Sequence, residues 1–545
     1  MCRVRSMQTL LLRLLIFALP TPIRVQVLQR WVKSYPNQWA SQKLVEGFKN
    51  GFSLGYVGPR RKRDSSSLPS AVKHAQVVKE KLSKEISLGR IAGPFAVRPF
   101  QNLQCSPIGL VPKNEPNSFR LIHNLSFPEG ESINDFIPKE LCFVQYASFD
   151  AAVELALKAG KGAWLAKSDI KSAFRLLPLN PHDYELVGFS FDNMFYFDRC
   201  LPMGCASSCS LFEMFSTFLE FRVKQVAKSA FVTHYLDDFL FVGSTSFTCN
   251  HLLQTFTSVC KELGVPLAME KTVGPVQVLT YLGLEIDTIQ RQIRVPASKI
   301  EGLCAQITNA LSKHKLTLMA TQSLIGSLNF VCKAIPHGRT FLRRLIALTQ
   351  GVQRPHHKIR VSKGARRDLM MWLEFFRHFN GVTPFLPHEW IDNGTLELYT
   401  DAAASIGYGA YFSGKWIQGR WGYDILNNPP SIAFLEFFPV VVAVMCWGEH
   451  LANRKVRFHS DNTAVVCIIN NQTSRCDRIM HLLRLFVLYC LKFRIIFKAV
   501  HVPGTYNEIA DSLSRFQMER FRLAAPQADT AMSPLPTLPQ VQFGS

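Results

Sequence analysis

The feature that most constrains this chain is a pair of adjacent aspartates, Asp237 and Asp238, set between two runs of β-branched and aromatic residues. These runs predict two strands joined by a tight turn, with both carboxylates at its tip. Adjacent carboxylates repel each other and resist burial, so a solvated turn is one interpretation. The other is that divalent cations such as Mg²⁺ neutralise them, because hard ions bind carboxylate oxygens and keep positions open for substrate phosphates.

Size and charge narrow the class of protein. With 545 residues the chain is long enough for about three or four domain-sized units. A composition of 47% hydrophobic and 19% charged residues indicates a globular protein. The formal net charge of +22 predicts a polyanionic partner. Nucleic acid fits this charge better than a membrane surface, because the excess is spread over the chain without an amphipathic basic helix.

The cysteines and the apolar segments bear on location. The 14 cysteines are scattered and show no CxxC pair and no zinc-site spacing, which predicts reduced thiols and an intracellular protein. We expect it in the cytoplasm, with the nucleus as an alternative. Leu10 to Pro20 is apolar but short and interrupted by Arg13, which favours an amphipathic helix running towards Trp31 over a signal peptide. No run of about 20 apolar residues exists, so no membrane partner is predicted.

Upstream of the paired aspartates, a hairpin carries two cations. Ser106 to Lys113 and Ser118 to Asn124 predict two short strands joined by a polar turn, which brings Lys113 and Arg120 together. Such a pair suits a triphosphate, since arginine gives forked contacts and lysine a point charge. Two exposed cations on a surface hairpin are the alternative.

Two further segments present a carboxylate and an open stretch of backbone. Trp164 to Asp169 has the pattern of a buried strand that ends in a carboxylate. Leu201-Pro-Met-Gly204 precedes a helical apolar stripe between Ser207 and Val226. A glycine at position 204 lets the backbone approach a ligand closely.

Asp169, Leu-Pro-x-Gly204 and Tyr235-Leu-Asp-Asp238, in this order, resemble motifs A, B and C of the reverse-transcriptase palm. Lys271 in Met269-Glu-Lys-Thr272 is similar to the family's next lysine motif, and Tyr281-Leu-Gly283 to its primer-grip hairpin. The resemblance runs from about residue 100 to 290 and implies a right-hand fold of fingers, palm and thumb.

The resemblance also implies site roles. Asp169, Asp237 and Asp238 would hold two Mg²⁺ ions, with Mn²⁺ as an alternative, that activate the primer 3′-hydroxyl and steady the pyrophosphate. Lys113 and Arg120 would bind the incoming deoxynucleoside triphosphate.

Four positions near this site complete the comparison. Phe174 falls at the family's steric-gate position, where a ring would clash with a ribose 2′-hydroxyl. Met203, beside Gly204, replaces the family's usual glutamine and cannot offer its amide hydrogen bonds. Cys209 stands where the family has proline. These departures bear on nucleotide contacts and leave the metal-binding acids intact.

A second set of acids follows. Asp401 ends the first strand of a predicted three-stranded antiparallel meander, and Glu436 lies in an apolar helix whose Pro439 is tolerable only near the helix start. Asp461 ends another strand, and Asp511 belongs to the last helix. In this order they resemble the Asp-Glu-Asp-Asp centre of ribonuclease H over residues 395 to 515. The resemblance implies hydrolysis of the RNA strand of an RNA–DNA hybrid by two metal ions, at Asp401, Glu436, Asp461 and Asp511.

Two smaller features keep two interpretations each. His501 precedes the last acid, where some ribonucleases H carry a mobile histidine that aids proton transfer; packing beneath the loop is the alternative. Arg60 to Arg63 is either a phosphate-contact or nuclear-import patch or a solvated loop.

Between the two sites the chain is helical and basic. Pro296 to Ser312 and Thr317 to Ala334 predict two antiparallel helices, the expected thumb. A dense positive stretch follows, which is either a track for a nucleic-acid backbone or a solvated helical face. Its members are Arg339, Arg343, Arg344, Lys358, Arg360, Lys363, Arg366 and Arg367.

We therefore predict a multidomain α+β and α/β chain. Its segments are an N-terminal extension (1–90), fingers and palm (91–290), thumb and connection (291–390), a ribonuclease H-like mixed-sheet domain (391–516) and a disordered tail (517–545). The predicted function is RNA-directed DNA synthesis with ribonuclease H activity. The predicted partners are an RNA template, a DNA primer, their hybrid and deoxynucleoside triphosphates. Other proteins encoded by the same retroelement are a further candidate class of partner. Three segments most resemble DIRS-like retrotransposons: Gly47 to Gly58, Asn124-Leu-Ser-Phe-Pro128, and the ending from His501 to Arg515. A ribonuclease H alone, or a non-catalytic nucleic-acid-binding protein, is the alternative.

Overall fold

The computed structural model describes residues 19–112, 118–335, 337–378, 382–385, 390–501 and 507–536. The chain divides into two compact units, Met1–Leu282 and Gly283–Ser545. The cysteines in the described part of the chain are all free thiols. No helix within these ranges is both long and apolar enough to cross a membrane.

The first unit contains seven described helices and ten strands. The helices are α1 (Val25–Trp31), α2 (Gln38–Asn50), α3 (Pro69–Lys73), α4 (Ala75–Ser87), α5 (Phe149–Ala159), α6 (Ser208–Ala227) and α7 (Ser246–Leu263). The strands are β1 (Ile91–Phe95), β2 (Ile108–Pro112), β3 (Phe119–His123), β4 (Trp164–Asp169), β5 (Gly188–Phe191), β6 (Met194–Asp198), β7 (Val232–Tyr235), β8 (Asp238–Gly243), β9 (Val273–Val276) and β10 (Val278–Tyr281).

The central sheet of this unit has the order β7-β8-β4-β9 and is antiparallel. Helices α6 and α7 pack against it, and α6 turns the predicted apolar stripe inward: Phe215, Phe218 and Leu219 are buried. A capping box at Thr245 and a left-handed Gly264 set the two ends of α7. The sequence prediction of a strand–turn–strand presenting two aspartates is confirmed.

The fingers region holds two smaller sheets, β1-β6-β5 and the hairpin β2-β3. In the hairpin, Val111 lies opposite Arg120. The predicted partner cation, Lys113, lies outside the described residues. Before these sheets the chain forms α3 and α4, which are separated by a break at His74.

The N-terminal segment differs from the predicted extension because it contributes to the core of the first unit. Leu28 and Trp31 of α1 and Leu44 and Phe48 of α2 are buried in one cluster with the central sheet. Phe48 packs edge-to-face against Phe215 of α6, with ring centroids 5.0 Å apart. The composition of this segment gave no sign of its packing partner, which lies well over a hundred residues further along the chain.

The basic run from Arg60 to Arg63 is largely exposed, as expected for a solvated loop, but three of its cations make local contacts. Arg60 forms ion pairs with Asp183 and Glu185 at 2.7 and 3.0 Å, and Arg61 pairs with Glu131 at 2.7 Å. Arg60 and Arg61 are therefore paired with carboxylates of the same chain.

The second unit contains eleven described helices and eleven strands. The helices are α8 (Ala297–Ser312), α9 (Leu318–Val331), α10 (Arg343–Thr349), α11 (Lys363–His378), α12 (Asn393–Leu396), α13 (Tyr423–Asn427), α14 (Ile432–Trp447), α15 (Thr463–Asn471), α16 (Asp477–Lys492), α17 (Glu508–Ser514) and α18 (Met518–Ala524). The strands are β11 (Leu284–Asp287), β12 (Gln292–Arg294), β13 (Lys315–Thr317), β14 (Lys358–Arg360), β15 (Val382–Pro384), β16 (Ile391–Asp392), β17 (Leu398–Ala403), β18 (Gly407–Phe412), β19 (Lys415–Arg420), β20 (Lys455–Ser460) and β21 (Ile496–His501).

The two predicted thumb helices are present as α8 and α9, and Thr317 caps α9 by accepting a hydrogen bond from the Ala320 amide. The basic stretch that follows is mixed in role. Arg344 pairs with the buried Asp368 at 3.2 Å, and Arg366 donates to the carbonyl oxygens of Lys313 and Leu311. These two arginines stabilise the fold, whereas most of the others are exposed.

The C-terminal part of this unit has a mixed α/β arrangement. Strands β17, β18 and β19 form the predicted antiparallel meander, and β16, β20 and β21 form a parallel sheet. Helix α14 is buried nearly all round and packs on β17, β18 and α16. Pro439 lies in the helix interior, not at its start as predicted. We attribute the tolerance to burial, since packing on all sides offsets one missing backbone hydrogen bond.

The tail also differs from the predicted disordered segment. Helix α18 places Phe521 in a cluster with Tyr411 and Trp416. Beyond the helix, the Asp529 amide donates to the Gly414 carbonyl and the Ser533 amide to that of Trp416. A short segment with one buried aromatic residue has no clear periodicity, so its order depends on a surface that the sequence alone does not show.

Candidate active sites

The paired aspartates sit at a two-residue turn between β7 and β8, where Tyr235 lies opposite Asp238. Leu236 adopts a left-handed conformation with φ +54°. Asp169, at the end of β4, lies directly opposite Asp238, and the Ile170 amide donates to the Asp237 carbonyl at 3.0 Å. The fold therefore brings all three predicted acids of the first site to one end of the central sheet.

The pKa values of Asp237 and Asp238 indicate that a nearby positive charge would stabilise their ionised forms. The pKa of Asp237 is raised to about 6. Burial is the largest cause, and the neighbouring Asp169 carboxylate is the second. Burial and Asp169 likewise raise the pKa of Asp238. Lys271 lies 2.8 Å from Asp169 Oδ2, and this hydrogen bond raises the pKa of the lysine. One cation of the chain thus already balances part of the carboxylate charge.

A cleft of about 600 Å³ opens beside the acids. Its lining includes Asp169 and Asp237 together with three of the predicted substrate-binding residues: Arg120, Met203 and Lys271. Arg120 is exposed on β3. An exposed guanidinium in the same cleft as the carboxylates can bind a phosphate while a cation binds the acids.

Phe174 and Gly204 have more specific surroundings. The Phe174 ring packs edge-to-face against Phe212, with centroids 5.5 Å apart, while Ser172 and Ala173 line the cleft at this point. Gly204 has φ +114°, and a Cβ there would lie 2.2 Å from the His123 carbonyl oxygen. The glycine is needed for a close approach to the chain itself, whereas the sequence suggested an approach to a ligand.

Sequence reasoning missed a buried ionic network behind the hairpin. His234 lies between Glu213 and Glu220 of α6, and the Leu236 amide donates to Glu213 Oε2 at 3.2 Å. Two acids seven residues apart on a helix with an otherwise apolar buried face were the available signal, because buried acids need partners.

The second set of acids also converges. Burial raises the pKa of Glu436 to about 8, with Asp401 and then Asp461 adding to the shift. Burial raises the pKa of Asp401 as well, although its Oδ2 accepts a hydrogen bond of 2.5 Å from Ser514. The Asn507 side chain donates to the Thr400 carbonyl at 2.8 Å and ties the start of α17 to β17. The structure therefore brings Asp401, Glu436 and Asp461 into mutual electrostatic range.

Asp511 is held by two cations. Arg515 and Arg520 each lie 2.7 Å from one of its oxygens. Burial would raise the pKa of Asp511, but these arginines outweigh burial and lower it. Arg520 comes from the tail helix, so the predicted fourth acid is paired with the segment that we expected to be disordered.

His501 ends β21, and its Nε2 lies 3.1 Å from the Asp461 carbonyl oxygen. A hydrogen bond to the backbone of a site residue favours local packing over proton transfer. The loop that follows, which entered the prediction, lies outside the described residues.

The donor sets fit hard divalent cations in kind. In each set, burial and neighbouring carboxylates raise the pKa of one acid in particular, Asp237 in the first and Glu436 in the second, and a bound cation relieves this repulsion. Among the described residues, no three metal-binding side chains already have ligating geometry. In the first site, Lys271 occupies a carboxylate oxygen that a metal would need. In the second site, Arg515 and Arg520 do the same. Ligation therefore requires these side chains to rotate.

The raised pKa of Glu436 predicts a proton release on metal binding. At pH 7 this carboxyl carries a proton because its pKa is about 8, and a cation binds only the ionised form. We expect Mg²⁺ binding to the chain to release about one proton at pH 7 and almost none at pH 9. Calorimetric titration in two buffers of different ionisation enthalpy measures this number.

Glu436→Gln is the control for this titration, because the amide has no proton to release in this range. Equal heats in both buffers at pH 7 would show that Glu436 is ionised before the metal binds, or that the metal does not bind there.

Comparison with known proteins finds one family model that matches the part of the chain containing the first site. Residues 111–286 match the model of the family described as reverse transcriptase (RNA-dependent DNA polymerase). Protein P of duck hepatitis B virus, white Shanghai duck isolate S31, is 29% identical over 164 residues, which cover 30% of this chain and 20% of that protein. An enzymatic polyprotein of cassava vein mosaic virus is 24% identical, with 65% of this chain and 53% of that protein covered. The chain spans about a fifth of the length of the duck virus protein.

Other similar proteins also come from viruses. The Gag-Pro-Pol polyprotein of Mason-Pfizer monkey virus is 27% identical over 40% of this chain and 12% of its own length. Among solved structures, the foamy viral protease-reverse transcriptase in complex with double-stranded DNA superposes with a TM-score of 0.49 and 15% identity, covering 88% of this chain and 82% of that one. The match over 111–286 contains Arg120, Asp169, Phe174, Met203, Gly204, Asp237, Asp238 and Lys271. Residues 111–286 are therefore similar to the reverse transcriptase family, and the proteins similar to this chain include viral polyproteins.

Proposed function

We propose that the chain is an RNA-directed DNA polymerase that also cleaves the RNA strand of an RNA–DNA hybrid. One observation carries the first activity: Asp169, Asp237 and Asp238 meet at the end of the central sheet, in a cleft lined by Arg120 and Lys271, within a reverse transcriptase domain. Carboxylates opposite phosphate-binding cations are what nucleotidyl transfer requires.

In this proposal the chain positions the reactants. Arg120 binds the triphosphate by forked hydrogen bonds, and Lys271 remains protonated beside Asp169 and balances charge in the cleft. Asp169, Asp237 and Asp238 would hold Mg²⁺, with Mn²⁺ as an alternative, which supplies Lewis-acid activation of the 3′-hydroxyl and stabilises the leaving group. Gly204 keeps the segment before α6 close to His123 and so fixes the wall beside Met203.

The second activity rests on the acids of the C-terminal sheets. Asp401 of β17, Glu436 of α14 and Asp461, which directly follows β20, interact electrostatically, and Asp511 approaches from α17. Four acids on these elements, in this order, are the arrangement expected for metal-assisted hydrolysis of a phosphodiester. The products would be RNA fragments and the DNA strand.

The charge of the chain supports nucleic-acid partners in the same proposal. The exposed members of the basic stretch, such as Arg339, Lys358 and Arg367, are free to contact phosphates without reading sequence. We propose an RNA template, a DNA primer, their hybrid and deoxynucleoside triphosphates as partners, in the cytoplasm or the nucleus. The DIRS-like origin remains a proposal from motif wording.

The test is primer extension by the purified chain on a labelled RNA template with Mg²⁺, with extended primer and template fragments resolved on one gel. We expect both products. Cleavage without extension would leave a ribonuclease H alone. Neither product, with salt-sensitive hybrid binding retained, would identify a non-catalytic nucleic-acid-binding protein, since phosphate contacts weaken as salt rises.

Phe174 predicts the sugar preference of this polymerase. Phe174→Ala removes a ring beside the cleft, so a ribose 2′-hydroxyl should meet less steric resistance. We expect the preference for deoxynucleotides over ribonucleotides, measured as a ratio of kcat/KM values, to fall by at least about tenfold, since a steric contact of this size is worth 1–3 kcal/mol. Phe174→Tyr keeps the ring and should keep the ratio. An unchanged ratio in Phe174→Ala would show that Phe174, whose ring packs on Phe212, does not select against the ribose 2′-hydroxyl.

A further inference from the structure

The buried network behind the catalytic hairpin has a defined geometry. Glu213 and Glu220 lie seven residues apart on α6 and so face the same side of the helix. His234 of β7 lies between them, with its Nε2 3.2 Å from Glu213 Oε1 and its Nδ1 hydrogen-bonded to Glu220. Glu213 is 9% exposed and His234 5%. Acids this buried are destabilising unless they are paired.

The charges of this network are balanced. Burial lowers the pKa of His234, but Glu213 and Glu220 outweigh burial and raise it to about 9, so the ring is cationic at neutral pH. Glu220 has a second cation, Lys224, at 2.5 Å. Glu213 therefore faces a cationic partner through Oε1, and its other oxygen, Oε2, remains available for a second contact.

That other oxygen contacts the turn. Glu213 Oε2 accepts a hydrogen bond of 3.2 Å from the amide of Leu236, the residue with φ +54° directly before Asp237. A left-handed conformation at a leucine is unfavourable by about 1–2 kcal/mol and persists only where its surroundings enforce it. The hydrogen bond that the Leu236 amide donates to Glu213 is such an enforcing contact, and it acts one residue away from a catalytic acid.

We propose that Glu213 is a positioning residue for DNA synthesis. Its carboxylate, oriented by His234, holds the left-handed turn at Leu236 and thereby sets the place of Asp237 relative to Asp169. This inference rests on the proposed polymerase function, since it assigns a role within that site. The alternative is that the network only stabilises the packing of α6 on the sheet.

Matched substitutions separate the two roles. Glu213→Leu removes the acceptor for the Leu236 amide, whereas Glu213→Gln keeps an acceptor oxygen at the same length and loses the charge. Glu220→Gln is the control, because Glu220 contacts the same histidine from the same helix face and makes no hydrogen bond to Leu236 among the contacts described for it. A packing role predicts similar effects at both positions.

Single-turnover primer extension is the first readout. We expect Glu213→Leu to lower kcat on the order of 100-fold, since small misplacements of catalytic groups have effects of this size. The KM for deoxynucleotide and the Kd for primer–template should stay within about threefold, because no substrate contact is removed. Glu213→Gln should retain kcat within about tenfold and Glu220→Gln within about threefold.

The second readout does not depend on activity. Mn²⁺ binding, followed by electron paramagnetic resonance in an Asp461→Asn background, reports the first site with the other site weakened. We expect Glu213→Leu to weaken this binding by about tenfold and Glu220→Gln to leave it unchanged, because only the former frees the turn before Asp237.

The outcomes are distinct. Retained kcat and Mn²⁺ affinity in Glu213→Leu, or an equal loss in Glu220→Gln, would overturn the positioning role. If Glu213→Leu fails to fold, Glu213→Asn takes its place: its amide is one methylene too short to reach Leu236, so the same loss is expected, and retained kcat again overturns the inference. A wild-type chain that does not extend primers refutes the polymerase proposal, and the Mn²⁺ readout still tests the turn.

Discussion

Asp237→Asn should abolish DNA synthesis while RNA cleavage continues. The substitution removes a charge that would hold the catalytic cation, and several kcal/mol of transition-state stabilisation correspond to a loss on the order of 10³-fold in kcat. The fold should survive. Because the pKa of Asp237 is raised to about 6, its ionised form opposes folding at neutral pH, so a neutral amide of the same shape should leave Tm at pH 8 unchanged or higher.

Asp461→Asn is the reciprocal control for this experiment. It should abolish cleavage of the RNA strand and leave primer extension within about twofold of wild type, because the two sets of acids belong to different compact units. Both activities are read from one gel with doubly labelled hybrid. Loss of both activities in either single variant would mean that the two sites are not independent, and retention of both would remove the residue from its site.

Phe521→Ala should destabilise the second unit by about 3–5 kcal/mol, the usual range for truncating a fully buried phenylalanine. The ring is completely buried and packs against Tyr411 and Trp416, with centroids 6.4 and 5.4 Å away. Urea denaturation followed by tryptophan fluorescence measures the free energy of unfolding.

Leu523→Ala is the matched control on the same helix. Leu523 is 84% exposed, so its truncation should change the free energy of unfolding by less than about 0.5 kcal/mol. Similar stabilities of the two variants would show that α18 is not docked on the sheet in solution. The first prediction about the tail, that it is disordered, would then be reinstated.

The sequence predicted the elements of both sites because each acid has a strong local signal. Asp169 and Asp461 end runs of alternating or apolar strand residues, and Asn462 is a recognisable helix cap. The meander after Asp401 and the helices from Ala297 and Leu318 were also predicted to within a few residues. Such features depend on nearby residues, which a single sequence displays directly.

What was missed depends on distant partners. The helices before residue 51 pack on α6, and Phe521 packs on β18 and β19, contacts that no local pattern encodes. Pro439 was expected near a helix start, because the burial that compensates for it comes from other elements. Glu213 and His234 each look anomalous alone, and only the fold shows that they meet behind the turn. The features that the sequence did not predict therefore depend on long-range pairing more than on local propensity.

The backbone hydrogen bonds from Asp529 and Ser533 have a consequence for association between copies of the chain. β19 is the outer strand of its sheet, and an uncovered outer strand offers unpaired carbonyls and amides as a template for another chain. The tail occupies the carbonyls of Gly414 and Trp416 and so blunts this edge. Proteolysis after Arg515 would therefore create a self-pairing surface, and shortened forms should be less soluble than the whole chain.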